Sequence, residues 1–308
     1  MNPPGIDETQ LIQLLPMASA IDALEAAFRL DLPEAPLRSR VEAGEGELLL
    51  MPAVGPQGAG VKLVTVQPGN PARGRSLVQG VYVLFSPGTL EPLATIDGAA
   101  LTSLRTGAVS GLATRHLARE DARRLVIFGA GTQARVHLAA MTAVRPIEEV
   151  MVVSRTPAGA KALAERAAAT GLRASVGTPD AVAGSDIVCT CTTSPTPVFD
   201  GSQLAEGAHV NAVGAYTPET REVDDETVRR AAIVVETREA ALAEAGDLLL
   251  PIGAGVISEE DIVADLAQLV EGARVRTEAA DVTLFKSVGV AFEDLVVARA
   301  AVDRMVEP

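Results

Sequence analysis

Only two cysteines occur in the 308 residues, Cys189 and Cys191, two apart in "DIVCTCTTS". Strand alternation points both to one face, a poor geometry for pairing with each other, so they read as buried, inert thiols. The three histidines, His116, His137 and His209, are scattered, and no second Cys or His cluster adjoins the cysteines, which speaks against a metal site. Positive charge is also in short supply: 26 Lys and Arg against 40 Asp and Glu give a net charge of -14. A nucleic-acid binder needs clustered cations to displace counterions, so DNA and RNA are excluded as expected partners. No stretch reaches the roughly 18 uninterrupted apolar residues of a membrane span, and "MNPPGIDETQLIQLLP" lacks a basic segment followed by an apolar run. A cytoplasmic location without membrane partners is the resulting expectation. Low-complexity runs are absent too, and 48% hydrophobic with 21% charged residues describes an ordinary globular protein.

What is present suggests two domains, because the chain exceeds the usual size of one core. Residues 6 to 30 read as two short helices, capped by Asp7 or Thr9, with Ile21, Leu24, Ala27 and Phe28 on one stripe. From 36 to 96, short apolar runs alternate with Gly, Pro and Asn turns, as in a sheet built from hairpin-like connections. "DGAALTSLRTGAVSGLATRHLA" reads as one long helix capped by Asp97, with Leu101, Leu104, Ala108 and Leu112 on a stripe. Beyond it, apolar segments without polar alternation ("RLVIFGA", "EVMVVSR", "DIVCTCT", "HVNAVGA", "AIVVET") are interleaved with helical ones, the signature of a parallel sheet covered on both faces. Near the end, "DVTLFKSVGVAFEDLVVARAAVDRMVE" predicts a strand, then a helix that packs back on the first domain. The fold class is α/β, a doubly wound Rossmann domain joined to an α+β domain.

Within this pattern "LVIFGAGTQARVHLAAM" places Gly129, Gly131 and Ala134 between a strand and a helix. The first glycine permits a tight turn, the second lets backbone approach a pyrophosphate, and the small third residue lets helix and strand pack closely. The helix start offers free N–H groups and a positive dipole end to phosphate. NAD readers usually carry an acid at the end of the next strand. Here Ser154, Arg155 and Thr156 stand there instead, a guanidinium and two hydroxyls suited to a 2'-phosphate, so NADP(H) is favoured over NAD(H).

Three cations sit where their surroundings ask for something else. Lys62 interrupts the strand-like "GAGVKLVTV", Arg105 lies within the stripe of the long helix that should be buried, and Arg38 falls in "APLRSRVE". A buried cation needs an anion. Together the three could hold a substrate carboxylate, with Lys62 also donating a proton or hydrogen bond; singly, each is as readily half of an internal ion pair or a surface residue.

"KLVTVQPGN", "VQGVYVLFSPGTLEPLATIDGAALTSLRTGAVSGLAT", "IFGAGTQARVHL", "NAVGAYTPETREVD" and "LFKSVGVAFEDL", in order and over nearly the whole chain, resemble the ornithine cyclodeaminase and mu-crystallin family. The resemblance implies a homodimer, with a substrate-binding and dimerisation domain (1–118 plus 290–308), a Rossmann domain (119–289), and the active site where the two meet. It implies that Arg38, Lys62 and Arg105 bind the substrate carboxylate, that Gln79 faces the same pocket, and that Thr106 lies near the cofactor phosphates. Gly129, Gly131, Thr132, Gln133 and Ala134 match the family's phosphate loop. Val213 and Gly289 border the nicotinamide, and Thr190 joins the cofactor set.

One departure bears on the reaction. Cyclodeaminases of this family carry an Asp two residues before the Pro of the strand-end motif, where "AVGAYTP" has Tyr216. A phenol is neutral at working pH and cannot act as that carboxylate. The resemblance therefore points to the branch that reduces cyclic ketimines, Δ1-pyrroline-2-carboxylate or Δ1-piperideine-2-carboxylate, to L-proline or L-pipecolate, with Tyr216 shaping the ring pocket or packing at a strand end. An amino-acid dehydrogenase of the alanine dehydrogenase type, an ornithine or lysine cyclodeaminase, and a mu-crystallin-like small-molecule binding protein are the alternatives.

Overall fold

The computed structural model describes residues 3–30 and 35–306. The chain divides into two compact units, 1–105 with 290–308, and 106–289.

The first unit is built on a six-stranded sheet. Its elements are β1 (Gly5–Ile6), α1 (Glu8–Leu14), α2 (Met17–Phe28), β2 (Ser39–Ala43), β3 (Gly46–Gly55), β4 (Gly58–Val66), β5 (Val78–Phe85) and β6 (Pro92–Asp97), followed by α3 (Gly98–Leu117). The strand order is β1-β6-β5-β4-β3-β2, antiparallel from β6 to β2, with only the two-residue β1 running parallel to its neighbour. Asp7 caps α1 by accepting from the Gln10 N–H, while Gln10 reaches back to the Asp7 N–H, a reciprocal capping box. Asp97 caps α3 by accepting from the N–H groups of Ala99 and Ala100, both at 2.9 Å. Alternation along the strands sends Leu49, Met51, Val64, Tyr82, Leu84 and Ile96 into the core with Ile21, Leu24 and Phe28 of α2.

The second unit holds β7 (Arg124–Phe128), α4 (Thr132–Val144), β8 (Glu149–Val153), α5 (Pro157–Ala168), β9 (Arg173–Val176), β10 (Ile187–Thr190), β11 (His209–Ala212), α6 (Asp225–Arg230), β12 (Ala231–Val235), α7 (Arg238–Glu244), α8 (Gly246–Gly253), β13 (Ile262–Asp265), α9 (Leu266–Val270) and β14 (Val282–Lys286). Its eight strands are all parallel, in the order β13-β12-β14-β11-β10-β7-β8-β9. The chain runs from β7 outward to β8 and β9, then returns to the other side of β7 to lay down β10 and β11. That reversal makes the carboxyl end of β7 the switch point, where doubly wound sheets bind ligands.

The last helix, α10 (Ala291–Val306), belongs to the first unit and packs on α2, β3 and β4; Phe28 and Phe292 meet edge to face with ring centroids 5.4 Å apart. The first crossing between units lies inside α3, between Arg105 and Thr106, and not after residue 118 as the sequence suggested. One continuous apolar stripe, with Leu101 and Leu104 before the crossing and Ala108 and Leu112 after it, serves both units, so composition marks no break there. Among the described residues no single helix is long and apolar enough to cross a membrane.

Candidate active site

Lys62 faces the interior of the first unit because β4 alternates, burying Gly58, Gly60, Lys62 and Val64 on one face. Its ammonium, only 1% exposed, lies 2.9 and 2.8 Å from the two carboxylate oxygens of Asp294. Arg105, one helical turn beyond Leu101, is likewise buried and pairs through Nη1 with Glu293 at 2.9 Å and through Nε with Asp294 at 3.3 Å. Both acids stand in the first turn of α10, where the helix dipole favours negative charge. Burial pushes the Lys62 pKa down to about 8; Asp294 opposes that shift, while the positive charges of Arg105 and Arg38 add to it. Arg38, just ahead of β2, is half-buried and close enough to be felt at Lys62. The three misfit cations thus converge on one place and repel one another there.

Tyr82 is the cross-strand partner of Lys62 and is fully buried. Its hydroxyl has no hydrogen-bond partner among the described residues, and burial, with the Asp294 charge behind it, holds the phenol protonated far beyond its usual range. Gly60 makes room for it, since a Cβ at that position would overlap the phenol oxygen.

In the second unit the turn after β7 has the shape the glycine spacing predicts. Gly129 has φ +105°, its N–H donates to the Val153 carbonyl at 2.8 Å, and a Cβ would run into the Cys191 carbonyl oxygen. Only glycine fits there. Gly131 differs: its φ of -83° suits any residue, it is exposed, and a Cβ would meet no atom within 4 Å. No described residue requires its bareness, and the space beside it is open to a group outside the chain. Ala134 is fully buried, allowing α4 to lie close to the sheet, and the buried Gln133 Oε1 has no hydrogen-bond partner among the described residues. The exposed turn, the free helix start at Thr132 and the space over Gly131 fit a pyrophosphate. At the end of β8, Ser154 accepts from the Thr156 N–H at 3.2 Å, and Arg155 projects exposed between them, with no acid in the position that would hold a ribose.

The family model of the ornithine cyclodeaminase/mu-crystallin family matches residues 8–308. The chain belongs to this family. A Δ1-pyrroline-2-carboxylate reductase of Bacillus cereus is 40% identical over 271 residues, covering 84% of this chain and 82% of that protein. Among solved structures, the Δ1-pyrroline-2-carboxylate reductase of Thermococcus litoralis in complex with NADH and L-proline superposes with a TM-score of 0.93 at 36% identity, covering 98% of this chain and 97% of that one. An archaeal alanine dehydrogenase dimer with bound NAD gives a TM-score of 0.94 at 33% identity over 99% and 97% of the two chains.

Not every residue that the family resemblance nominated joins a cluster. Gln79 is exposed and pairs across the strands with Thr65, three positions from Tyr82, so strand alternation turns it to the face opposite Lys62. Thr190 is fully buried, and its hydroxyl donates to Glu222 at 2.8 Å. Thr106 is buried in α3, Val213 and the half-buried Tyr216 follow the end of β11, and Gly289 turns with φ +81° after β14. The cysteines are buried and free, their thiols pushed up by burial, to about 12 for Cys189. His137 and His209 are fully buried, and burial holds them neutral by lowering their pKa to about 4 and about 3.

Sequence reasoning missed the acids. Glu293 and Asp294 stand in the quoted "AFEDL" but show no misfit on a helix whose first turn welcomes carboxylates. It also missed a buried network in the second unit, described below, although Lys286 in "TLFKS" breaks its apolar strand just as Lys62 does.

Proposed function

We propose that this chain reduces a cyclic ketimine carboxylate, Δ1-pyrroline-2-carboxylate or Δ1-piperideine-2-carboxylate, to L-proline or L-pipecolate with NAD(P)H. The convergence of Arg38, Arg105 and Lys62 carries the reading, because three cations within electrostatic reach of one another, two of them held in place by Asp294 and Glu293, suit a small carboxylate. The residues around Gly131 would hold the dinucleotide, whose reduced nicotinamide supplies a hydride. Arg38 and Arg105 grip the carboxylate and fix the ring, so that C2 of the C=N bond is presented in one orientation. Lys62, charged below about pH 8, keeps a proton at the ring nitrogen as that atom becomes an amine. Tyr216, a neutral phenol where cyclodeamination would need a carboxylate, walls the ring without abstracting a proton from a free amine. Ser154, Arg155 and Thr156 support a preference for NADP(H) within the pair of nicotinamide cofactors.

Purified protein supplied with NADPH or NADH should oxidise the cofactor when given either cyclic imine and release no ammonia from ornithine. Its kcat/KM should fall as pH rises through about 8, where Lys62 loses its proton. Turnover of pyruvate with ammonia but of neither imine would contradict the reading in favour of the alanine dehydrogenase type.

A further inference from the structure

The carboxyl ends of β10, β11 and β14 lie on the side of β7 away from β8. A dinucleotide whose pyrophosphate sits over Gly131 and whose adenosine half reaches the end of β8 must extend its other half over these three ends. One fully buried side chain joins the ends of β10 and β11. Glu222 Oε1 accepts from the Thr192 N–H at 2.7 Å and the Thr192 hydroxyl at 2.6 Å, and its Oε2 accepts from the Thr190 hydroxyl at 2.8 Å and the Gly214 N–H at 2.6 Å. The carboxylate therefore staples the segment after β10 to the segment after β11. Gly214 has no space for a side chain, since a Cβ would stand 2.6 Å from Glu222 Oε1. Glu222 is fixed in turn: Asp247 Oδ1 accepts from the N–H groups of Glu222 and Val223 at 2.6 and 3.0 Å, Asp247 Oδ2 pairs with Lys286 at 2.6 Å, and Lys286 donates to the Ala215 carbonyl at 2.6 Å. All three ionisable side chains are at most 1% exposed.

We propose that Glu222 is a positioning residue for the nicotinamide end of the cofactor, holding Thr192 and the Val213–Gly214–Ala215 backbone as one preformed seat. The proposal rests on the reading that this sheet edge binds a dinucleotide. Glutamine at 222 is isosteric, but its amide would turn donors toward donors at one of the two stapled segments.

Calorimetric titration of the full chain with NADH and ADP-ribose, and with NADPH and 2'-phospho-ADP-ribose, separates the two claims. Wild-type protein should bind each whole dinucleotide tighter than its fragment. In Glu222→Gln the fragment should bind as before, while the dinucleotide weakens about tenfold, closing the gap. Unchanged affinity for both ligands, or parallel loss of both, would overturn the proposal. Wild-type protein that binds none of the four would overturn the dinucleotide reading first and this one with it. Should Glu222→Gln fail to fold, Thr190→Val removes a single donor from the same carboxylate and should narrow the gap about threefold; an unchanged gap would refute the seat.

Discussion

A charged side chain inside a protein is informative through what compensates it. Lys62 and Arg105 read from the sequence as residues out of place, and the structure shows each as half of an internal ion pair, with Arg38 close enough to be felt at Lys62. The sequence exposed the cations because strand and helix periods assign them to the core. It hid Glu293 and Asp294 because acids in a first helical turn look unremarkable, and no local pattern reveals a contact between residues 62 and 294. Arg155 is the opposite case, an exposed cation with only the chemistry of its neighbours to argue from. Arg155→Ala should raise the KM for NADPH by roughly 10- to 100-fold, the worth of one charge-assisted contact to a phosphate, and leave that for NADH nearly unchanged. Steady-state kinetics with both cofactors checks this, and equal effects would show that Arg155 does not read a 2'-phosphate.

Elements were legible in proportion to how completely burial dictates their composition. β7, β10, β11 and β14 are almost wholly buried on both faces and stood out as strands. β9 and β13 form the two edges of the same sheet, β9 almost wholly uncovered, and neither offers more than a short apolar stretch to detect. β1 is too short for any period to register. The turn between β7 and α4 was legible because glycine spacing encodes backbone shape, but its two glycines serve different ends. Gly131→Ala should change stability by no more than about 0.5 kcal/mol, as its backbone angles and surroundings accept a methyl group. It should nevertheless weaken ADP-ribose binding about tenfold by filling the space kept for phosphate. Denaturant unfolding and calorimetry on the one variant test both halves; undiminished binding would remove the turn from the cofactor site.

At the scale of the molecule, the order of elements carried the fold class, since strands alternating with helices and a separate hairpin sheet admit few arrangements. The unit boundary was less legible because α3 runs through it without interruption. The choice of reaction rests on chemistry that no fold supplies: cations for a carboxylate, and a phenol in place of an acid at 216. The most direct test is therefore binding of the proposed product. Calorimetry in the presence of oxidised cofactor should show L-proline bound and L-prolinamide, which carries a neutral carboxamide in place of the carboxylate, bound at least about a hundredfold more weakly, with most of the difference lost in Arg105→Ala. Equal affinity for the two ligands, or a difference that survives undiminished in Arg105→Ala, would contradict the account.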